Sequence, residues 1–149
     1  MMAGMAAAAL HGPARATLGQ DDTSVDADTA QFRAHRFIQT ARTAAAAGYA
    51  VHDLQLPGGT HVREYLSADH QVFAVTWNGS SIPDLHRLLG QHYARYEIAA
   101  ARPSAAARSP VSLNDADLVL HNEGHPRAFH GLAYLPLLLP AGFDLRQLR

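Results

Sequence analysis

The chain of 149 residues has no cysteine and no lysine, so every one of its 12 basic residues is arginine. The absence of cysteine excludes a disulfide framework, a thiolate nucleophile, a cysteine-ligated zinc and an iron–sulfur cluster. Only 17% of the residues are charged, with 13 acidic residues against the 12 arginines and no polybasic run. We therefore expect no nucleic-acid partner and no attachment to an anionic membrane surface.

Long apolar runs are also missing, because no stretch reaches the roughly 18 to 20 residues that a membrane helix needs. The apolar start, Met1 to Leu10, is followed by Ala14-Arg15-Ala16, the small-x-small pattern that a signal peptidase accepts. We expect residues 1–16 to be a signal peptide, truncated at its start because the usual basic region is missing. The alternative is a disordered alanine-rich start. Cleavage after Ala16 would make the protein periplasmic or secreted.

The rest of the chain is long enough for one domain but not for two independent cores. Residues 17–26 are small and polar, which is typical of a flexible arm. Residues 27–149 are expected to form a single domain, with an Ala, Ser and Pro linker at 103–110.

Two segments have apolar residues at helical spacing. The first begins at Ala27 and ends at Gly48, which predicts a helix of roughly five turns. The second begins at Ser80 or Ser81 as the N-cap, has Pro83 in its first turn, and ends before Pro103. Its predicted buried stripe consists of Leu85, Leu88, Leu89, His92, Tyr93, Tyr96, Ala99 and Ala100.

Between and after these helices the apolar residues alternate, which predicts strands. Residues 49–56, 61–66 and 71–77 form a three-strand meander, and residues 117–121 and 127–135 form a C-terminal hairpin. We predict an α+β fold with a mainly antiparallel sheet of about five strands and both helices on one face. Residues 136–142 are apolar but broken by prolines and are expected to wrap the core as a loop, before a last helical turn within 143–149.

The predicted turns at Gly58-Gly59 and Ala68-Asp69 set the pairing of the meander. They place Tyr49, Val51, Val62, Phe73, Val75 and Trp77 on the core face, and His52, His61, Arg63, Tyr65 and Thr76 on the other. This pairing also sets Asp53 opposite Glu64 on the core face, where two like charges destabilise a sheet. Either that end is open, or an arginine lies between the carboxylates, or the register is shifted by one residue.

Several segments together resemble one bacterial family. They are Tyr49–Tyr65, Val72–Trp77, Pro83–Gly90, Ala128–Pro136 and Leu139–Gly142, with Leu18-Gly19 and Ser24-Val25 near the start. As a set they are similar to the family called domain of unknown function 2844. The resemblance implies an exported proteobacterial protein and brings no described fold or role with it.

Histidine is the one residue type in excess, at ten residues. His121, His125 and His130 surround the last hairpin and would be metal ligands only if they converged. They have no H-E-x-x-H context and no firmly placed carboxylate beside them, so we expect no metal and no other cofactor. His52, His61, Arg63, Glu64 and Tyr65 are the candidate binding residues of the meander.

Three hypotheses follow, and the sequence favours the first. It is an exported, non-catalytic binding or envelope-associated module, which contacts another exported protein or an envelope component through a sheet edge or through Leu137–Leu139. The second is a small hydrolase or metal-dependent enzyme that uses Glu64 with His52, His61 or Arg63, because paired carboxylates suit acid–base chemistry. The third is a periplasmic small-ligand binder that uses the concave face of the sheet.

Overall fold

The computed structural model describes residues 18–21, 35–42, 48–102 and 110–148. Seven strands form one antiparallel sheet in the order β1-β2-β3-β4-β7-β6-β5. Their bounds are β1 His35–Arg42, β2 Gly48–Gln55, β3 His61–Leu66, β4 Val72–Gly79, β5 Val111–Asn114, β6 Val119–His125 and β7 Ala128–Tyr134. The two halves of the sheet therefore meet where β4 pairs with β7.

A helical segment connects β4 to β5. It consists of α1, Leu85–Leu89, a 3-10 turn, Gly90–His92, and α2, Tyr93–Ala100. The Asp84 carboxylate caps α1 by accepting a hydrogen bond from the Arg87 amide at 3.3 Å. Within the described residues, no helix combines the length and the hydropathy that a membrane crossing needs. The second predicted helix is thus confirmed, with Asp84 as its cap instead of Ser80 or Ser81.

The helical segment covers one face of the sheet, which we call the helix-covered face. Trp77 lies at the centre of this core, with its indole N–H donating to Asn122 Oδ1 at 3.2 Å. Asn122 in turn donates to the Tyr96 hydroxyl at 3.1 Å, which ties α2 to the sheet. The buried apolar residues around it are Leu54, Val62, Leu66, Val72, Val75, Leu85, Leu88, Leu89, Leu113, Leu118, Leu120, Ala133 and Leu135.

Among the described residues, those that cover the opposite face belong to the C-terminal tail, residues 136–148, and lie at one end of it. The tail contains 3-10 turns at Pro136–Leu138 and Leu145–Gln147. Under it lies an aromatic cluster in which the Phe143 ring is 4.9 Å from Phe73 and 5.1 Å from Tyr49. The prediction that the tail wraps the core as a loop with a last helical turn therefore agrees with the structure. We call the rest of this face the open face.

The start of the described chain is docked on the core. Leu18 is fully buried, and its amide donates to the Leu88 carbonyl at 3.1 Å. At the start of β4, the Gly19 amide donates to the Val72 carbonyl at 2.7 Å, and the Val72 amide donates to the Gln20 carbonyl at 2.8 Å. Residues 18–21 belong to the predicted arm 17–26, so this part of it is fixed by burial. The predicted signal peptide, residues 1–16, and residues 103–109 of the predicted linker lie outside the described residues.

The α+β class and the antiparallel sheet are confirmed, but two details of the prediction are wrong. The sheet has seven strands, not about five, because β1 and β5 add to its two edges. The predicted N-terminal helix is a strand over residues 35–42, where eight residue pairs join it to β2. Phe37, Ile38 and Thr40 are of types that favour strands, and pairing with a neighbouring strand outweighs weak helix propensity.

The predicted register of the meander is also wrong, by one residue between β2 and β3 and by two residues between β3 and β4, where Val62 pairs with Trp77 instead of Val75. Asp53 pairs with Arg63, and Glu64 pairs with His52. Because alternate residues of a strand point to opposite faces, the shift moves the side chains of β2 across the sheet relative to the prediction. The conflict between Asp53 and Glu64 disappears because the two carboxylates lie on opposite faces.

Candidate functional site

Two rows of cross-strand neighbours run across the open face. The first row consists of Arg63 on β3, Thr76 on β4, Leu132 on β7 and His121 on β6. The second row consists of His61, Asn78, His130 and Glu123 on the same four strands. These residues and Leu148 of the tail line a groove of about 740 Å³. Its size falls in the range of small-molecule sites.

One carboxylate organises the β3 side of the groove. Asp53 Oδ2 accepts a hydrogen bond from Arg63 Nε at 3.0 Å, and its Oδ1 lies 3.2 Å from His61 Nδ1. The Asp53 side chain is 15% exposed, whereas those of Arg63 and His61 are about half exposed. Asp53 therefore restrains two groove residues from the neighbouring strand β2.

The charge of Arg63 is secured by the same contact. The hydrogen bond that Arg63 donates to Asp53, with a further contribution from Tyr65, raises the pKa of Arg63 above its ordinary value. The ion pair uses Nε, and the Arg63 side chain lines the groove. The guanidinium also has two terminal amino groups. Those groups form the planar fork that arginine uses to bind carboxylates and phosphates.

On the β6–β7 side, two histidines are bonded to strand neighbours. His130 Nε2 lies 2.8 Å from Glu123 Oε1, and His121 Nδ1 lies 2.9 Å from the Ser112 hydroxyl. Because a carboxylate only accepts, the bonded Nε2 of His130 must carry the proton. Glu123 is about half exposed and places a negative charge on this rim. The groove thus has a cation on one side and a carboxylate on the other.

The C-terminal tail forms a wall of the groove. Gln147 is held by two tyrosines, because the Tyr65 hydroxyl donates to its backbone carbonyl at 2.9 Å and the Tyr49 hydroxyl bonds to its side-chain oxygen. Burial, reinforced by the nearby Tyr65, raises the pKa of Tyr49. Gln147 in this way positions Leu148, which is buried and lines the groove.

At the floor of the groove, Gly131 on β7 lies against the buried Trp77 side chain. A Cβ atom at this position would lie 2.3 Å from Trp77 Cζ2 and 2.6 Å from the His121 carbonyl oxygen. Only glycine therefore lets the Trp77 indole lie against β7 at this point. The absence of a side chain at Gly131 therefore allows the core to pack closely against the strands that carry the groove residues of β6 and β7.

The candidate residues of the meander are divided between the two faces. His61 and Arg63 line the groove, and Tyr65 lies on the same face beneath the tail. His52 and Glu64 lie on the helix-covered face, where Glu64 is fully buried and His52 nearly so. The structure sets Glu64 directly opposite His52, one of the three partners that the hydrolase hypothesis names, and places His61 and Arg63 on the other face.

The three histidines of the last hairpin do not form one cluster. His121 and His130 line the groove with separate partners, Ser112 and Glu123. His125 is exposed at the end of β6, where it pairs with Ala128 across the hairpin. In the part of the chain that the structure describes, no three histidine or acidic side chains are placed to hold a metal ion.

Four residues that line the groove were not predicted from the sequence to belong to a site: Asn78, Glu123, Leu132 and Leu148. Glu123 could have been found, because the hairpin register that pairs His125 with Ala128 also pairs Glu123 with His130. Leu132 and Asn78 join the groove only through the pairing of β4 with β7. That pairing links strands separated by the helical segment and by two other strands, so no local pattern marks it.

Comparison with known proteins gives one family and no relative of described function. No curated protein and no solved structure matches the chain. The family model described as a protein of unknown function, DUF2844, matches residues 14–148, which is nearly the whole chain. The chain belongs to the DUF2844 family.

Proposed function

We propose that this protein is an exported, non-catalytic binding module that holds a small molecule in the groove of its open face. The observation that carries the proposal is the groove itself, whose polar side chains are already fixed by their neighbours. Asp53 holds Arg63 and His61, and Glu123 holds His130. Side chains fixed before binding lose little conformational entropy when a ligand arrives, which favours recognition.

The shape of the groove favours a small molecule over a partner protein. Side chains from four adjacent strands surround a volume of about 740 Å³, with apolar contributions from Leu132 and Leu148. The leucines of the tail, Leu137–Leu139, expose less apolar surface for docking a protein than the sequence suggests. Leu137 is 80% exposed, but Leu138 and Leu139 pack against the aromatic cluster.

A catalytic function receives less support from the arrangement of the carboxylates. Asp53 is engaged by Arg63 and His61 on the open face, and Glu64 is buried on the other face. A pair of carboxylates that shares a substrate must flank one cleft. Asp53 and Glu64 are separated by the sheet itself.

Binding can be tested by NMR on the purified, isotope-labelled full chain. We would titrate four probes that differ in charge: 4-phenylbutyrate, choline, glucose and glycylglycine. At least one should shift the amide signals of residues 61–63, 76–78 and 121–132 in a saturable way. His130→Ala should weaken that response, whereas His125→Ala, on an exposed histidine outside the groove, should not. If no probe shifts these signals, or only signals of α1 and α2 move, the proposal is wrong.

Export can be tested separately by expressing the chain with residues 1–16 in a bacterial host and fractionating the cells. The protein should appear in the periplasm or the medium with Thr17 as its first residue by mass spectrometry. Retention of an intact N-terminus in the cytoplasm would contradict export and would leave the binding proposal standing on its own test.

A further inference from the structure

We infer that the groove takes a small organic monocarboxylate, with its carboxylate on Arg63 and its apolar body over Leu132 and Leu148. This inference rests on the proposed binding function and specifies its ligand class. Among the described residues that line the groove, Arg63 is the one that carries a permanent positive charge.

The geometry of Arg63 suits a carboxylate. Asp53 accepts a hydrogen bond from Arg63 Nε at 3.0 Å and so restrains the guanidinium of a residue that lines the groove. With Nε engaged by Asp53, the terminal amino groups of Arg63 provide the N–H donors that can match the two oxygens of a carboxylate. His61, two residues earlier on the same face, lines the groove as well and is bonded through Nδ1 to the same aspartate.

Glu123 limits the ligand to one negative charge. It lies on β6, three strands from Arg63 on β3, which corresponds to about 14 Å between backbones. A dicarboxylate that spans the groove would place its second charge near the half-exposed Glu123 carboxylate. Repulsion between like charges on this rim therefore disfavours dicarboxylates.

Leu132 and Leu148 indicate an apolar body for the part of the ligand beyond its carboxylate. Leu132 stands two strands from Arg63 in the same row, about 10 Å away between backbones. Leu148 of the tail lines the same groove. An acid with a short carbon chain and an apolar end can thus bond to Arg63 and still cover both leucines.

The test compares 4-phenylbutyrate with 4-phenylbutyramide, which has the same shape and no charge. We expect the acid to bind at least tenfold more tightly than the amide, because a charge-assisted hydrogen bond is lost in the amide. Adipate, a dicarboxylate of similar length, should bind more weakly than 4-phenylbutyrate. Affinities can be measured by NMR titration of the full chain.

Two variants and a matched control assign the effect to Arg63. Arg63→Gln should abolish the preference for the acid. Because this change leaves Asp53 without its cation, the double variant Asp53→Asn, Arg63→Gln keeps the pair neutral and should lose the preference as well. Arg146→Gln is the matched control, since Arg146 also pairs with an aspartate, Asp144, but is 82% exposed outside the groove.

The outcomes separate this inference from the proposed function. If acid and amide bind the groove equally, or if both Arg63 variants keep the preference for the acid, the monocarboxylate inference is overturned and groove binding stands. If neither 4-phenylbutyrate nor 4-phenylbutyramide binds but choline, glucose or glycylglycine does, the proposed ligand class is wrong. If nothing binds the groove, both proposals fail.

Discussion

Asp53 lies directly opposite Arg63 on the neighbouring strand, and the two side chains form an ion pair of 3.0 Å on the open face. The sequence alone places Glu64 in that position, where it would repel Asp53. Because the register differs by one residue from the predicted one, Asp53 faces a cation instead of a carboxylate. The resulting ion pair holds Arg63 at one side of the groove.

A double-mutant cycle on this pair tests the register. Asp53→Asn and Arg63→Gln should each destabilise the protein slightly, with a favourable coupling of about 0.5 to 1 kcal/mol, as found for partly exposed ion pairs. The measurement is urea unfolding of the two single variants and the double variant. A second cycle combines Asp53→Asn with Glu64→Gln. If this cycle shows an unfavourable coupling between Asp53 and Glu64, the predicted register, in which the two carboxylates face each other, is supported instead.

Gly131→Ala tests the contact between the groove floor and the core. A methyl group there would overlap Trp77 and the His121 carbonyl, so the indole or the strand must shift. We expect a loss of about 3 kcal/mol in the free energy of unfolding. Gly48→Ala is the control, because no atom lies within 4 Å of its added Cβ, and it should change stability by about 0.5 kcal/mol or less. Equal effects of the two substitutions would contradict the packing.

Asn122→Leu tests the buried link between the sheet and α2. The substitution leaves the Trp77 indole N–H and the Tyr96 hydroxyl without their shared partner. Leaving a buried donor unsatisfied costs about 1 to 3 kcal/mol, so the urea midpoint should fall accordingly. The exposed Asn114→Leu should have little effect. An unchanged midpoint for Asn122→Leu would show that the link does not contribute to stability.

His92 predicts a dependence of stability on pH. Burial, together with the charge of Arg95, lowers its pKa below the ordinary value of 6.5, while Asp117 opposes the shift. The folded state therefore binds a proton less readily than the unfolded state. Its contribution is fully present above about pH 6.5 and is lost as the pH falls toward the folded pKa.

The comparison of unfolding at about pH 7.5 and about pH 5 isolates this effect. His92→Gln should lose less stability on acidification than the native chain, whereas His125→Gln, at an exposed position, should lose as much as the native chain. A native-like loss in His92→Gln would assign the acid sensitivity to other groups.

The segments that the sequence predicts well have strong local patterns. The helical segment that begins at Leu85 has leucines at three- and four-residue spacing, and these leucines are buried as expected. The strands of the meander alternate clearly and are all present. In both cases one face of the element meets the core, so burial and local pattern agree.

The errors occur where pairing partners decide the structure. Residues 35–42 have alanines at helical spacing nearby, and only their pairing with β2 makes them a strand. β5 has four residues with one buried side chain, Leu113, which is too short a pattern to detect. Turn residues indicate that a hairpin exists but do not fix its register, so a shift of one residue placed His52 on the face opposite to His61 and Arg63.

The central claim is that the groove of the open face binds a small carboxylate. Its most direct test is the set of intermolecular NOEs between the ring protons of 4-phenylbutyrate and the methyl groups of the protein. We predict NOEs to Leu132 and Leu148, which weaken in the Asp53→Asn, Arg63→Gln double variant at the same concentration of the acid. NOEs to Leu88 and Leu89 on the helix-covered side, or no NOEs at a saturating concentration, would contradict it.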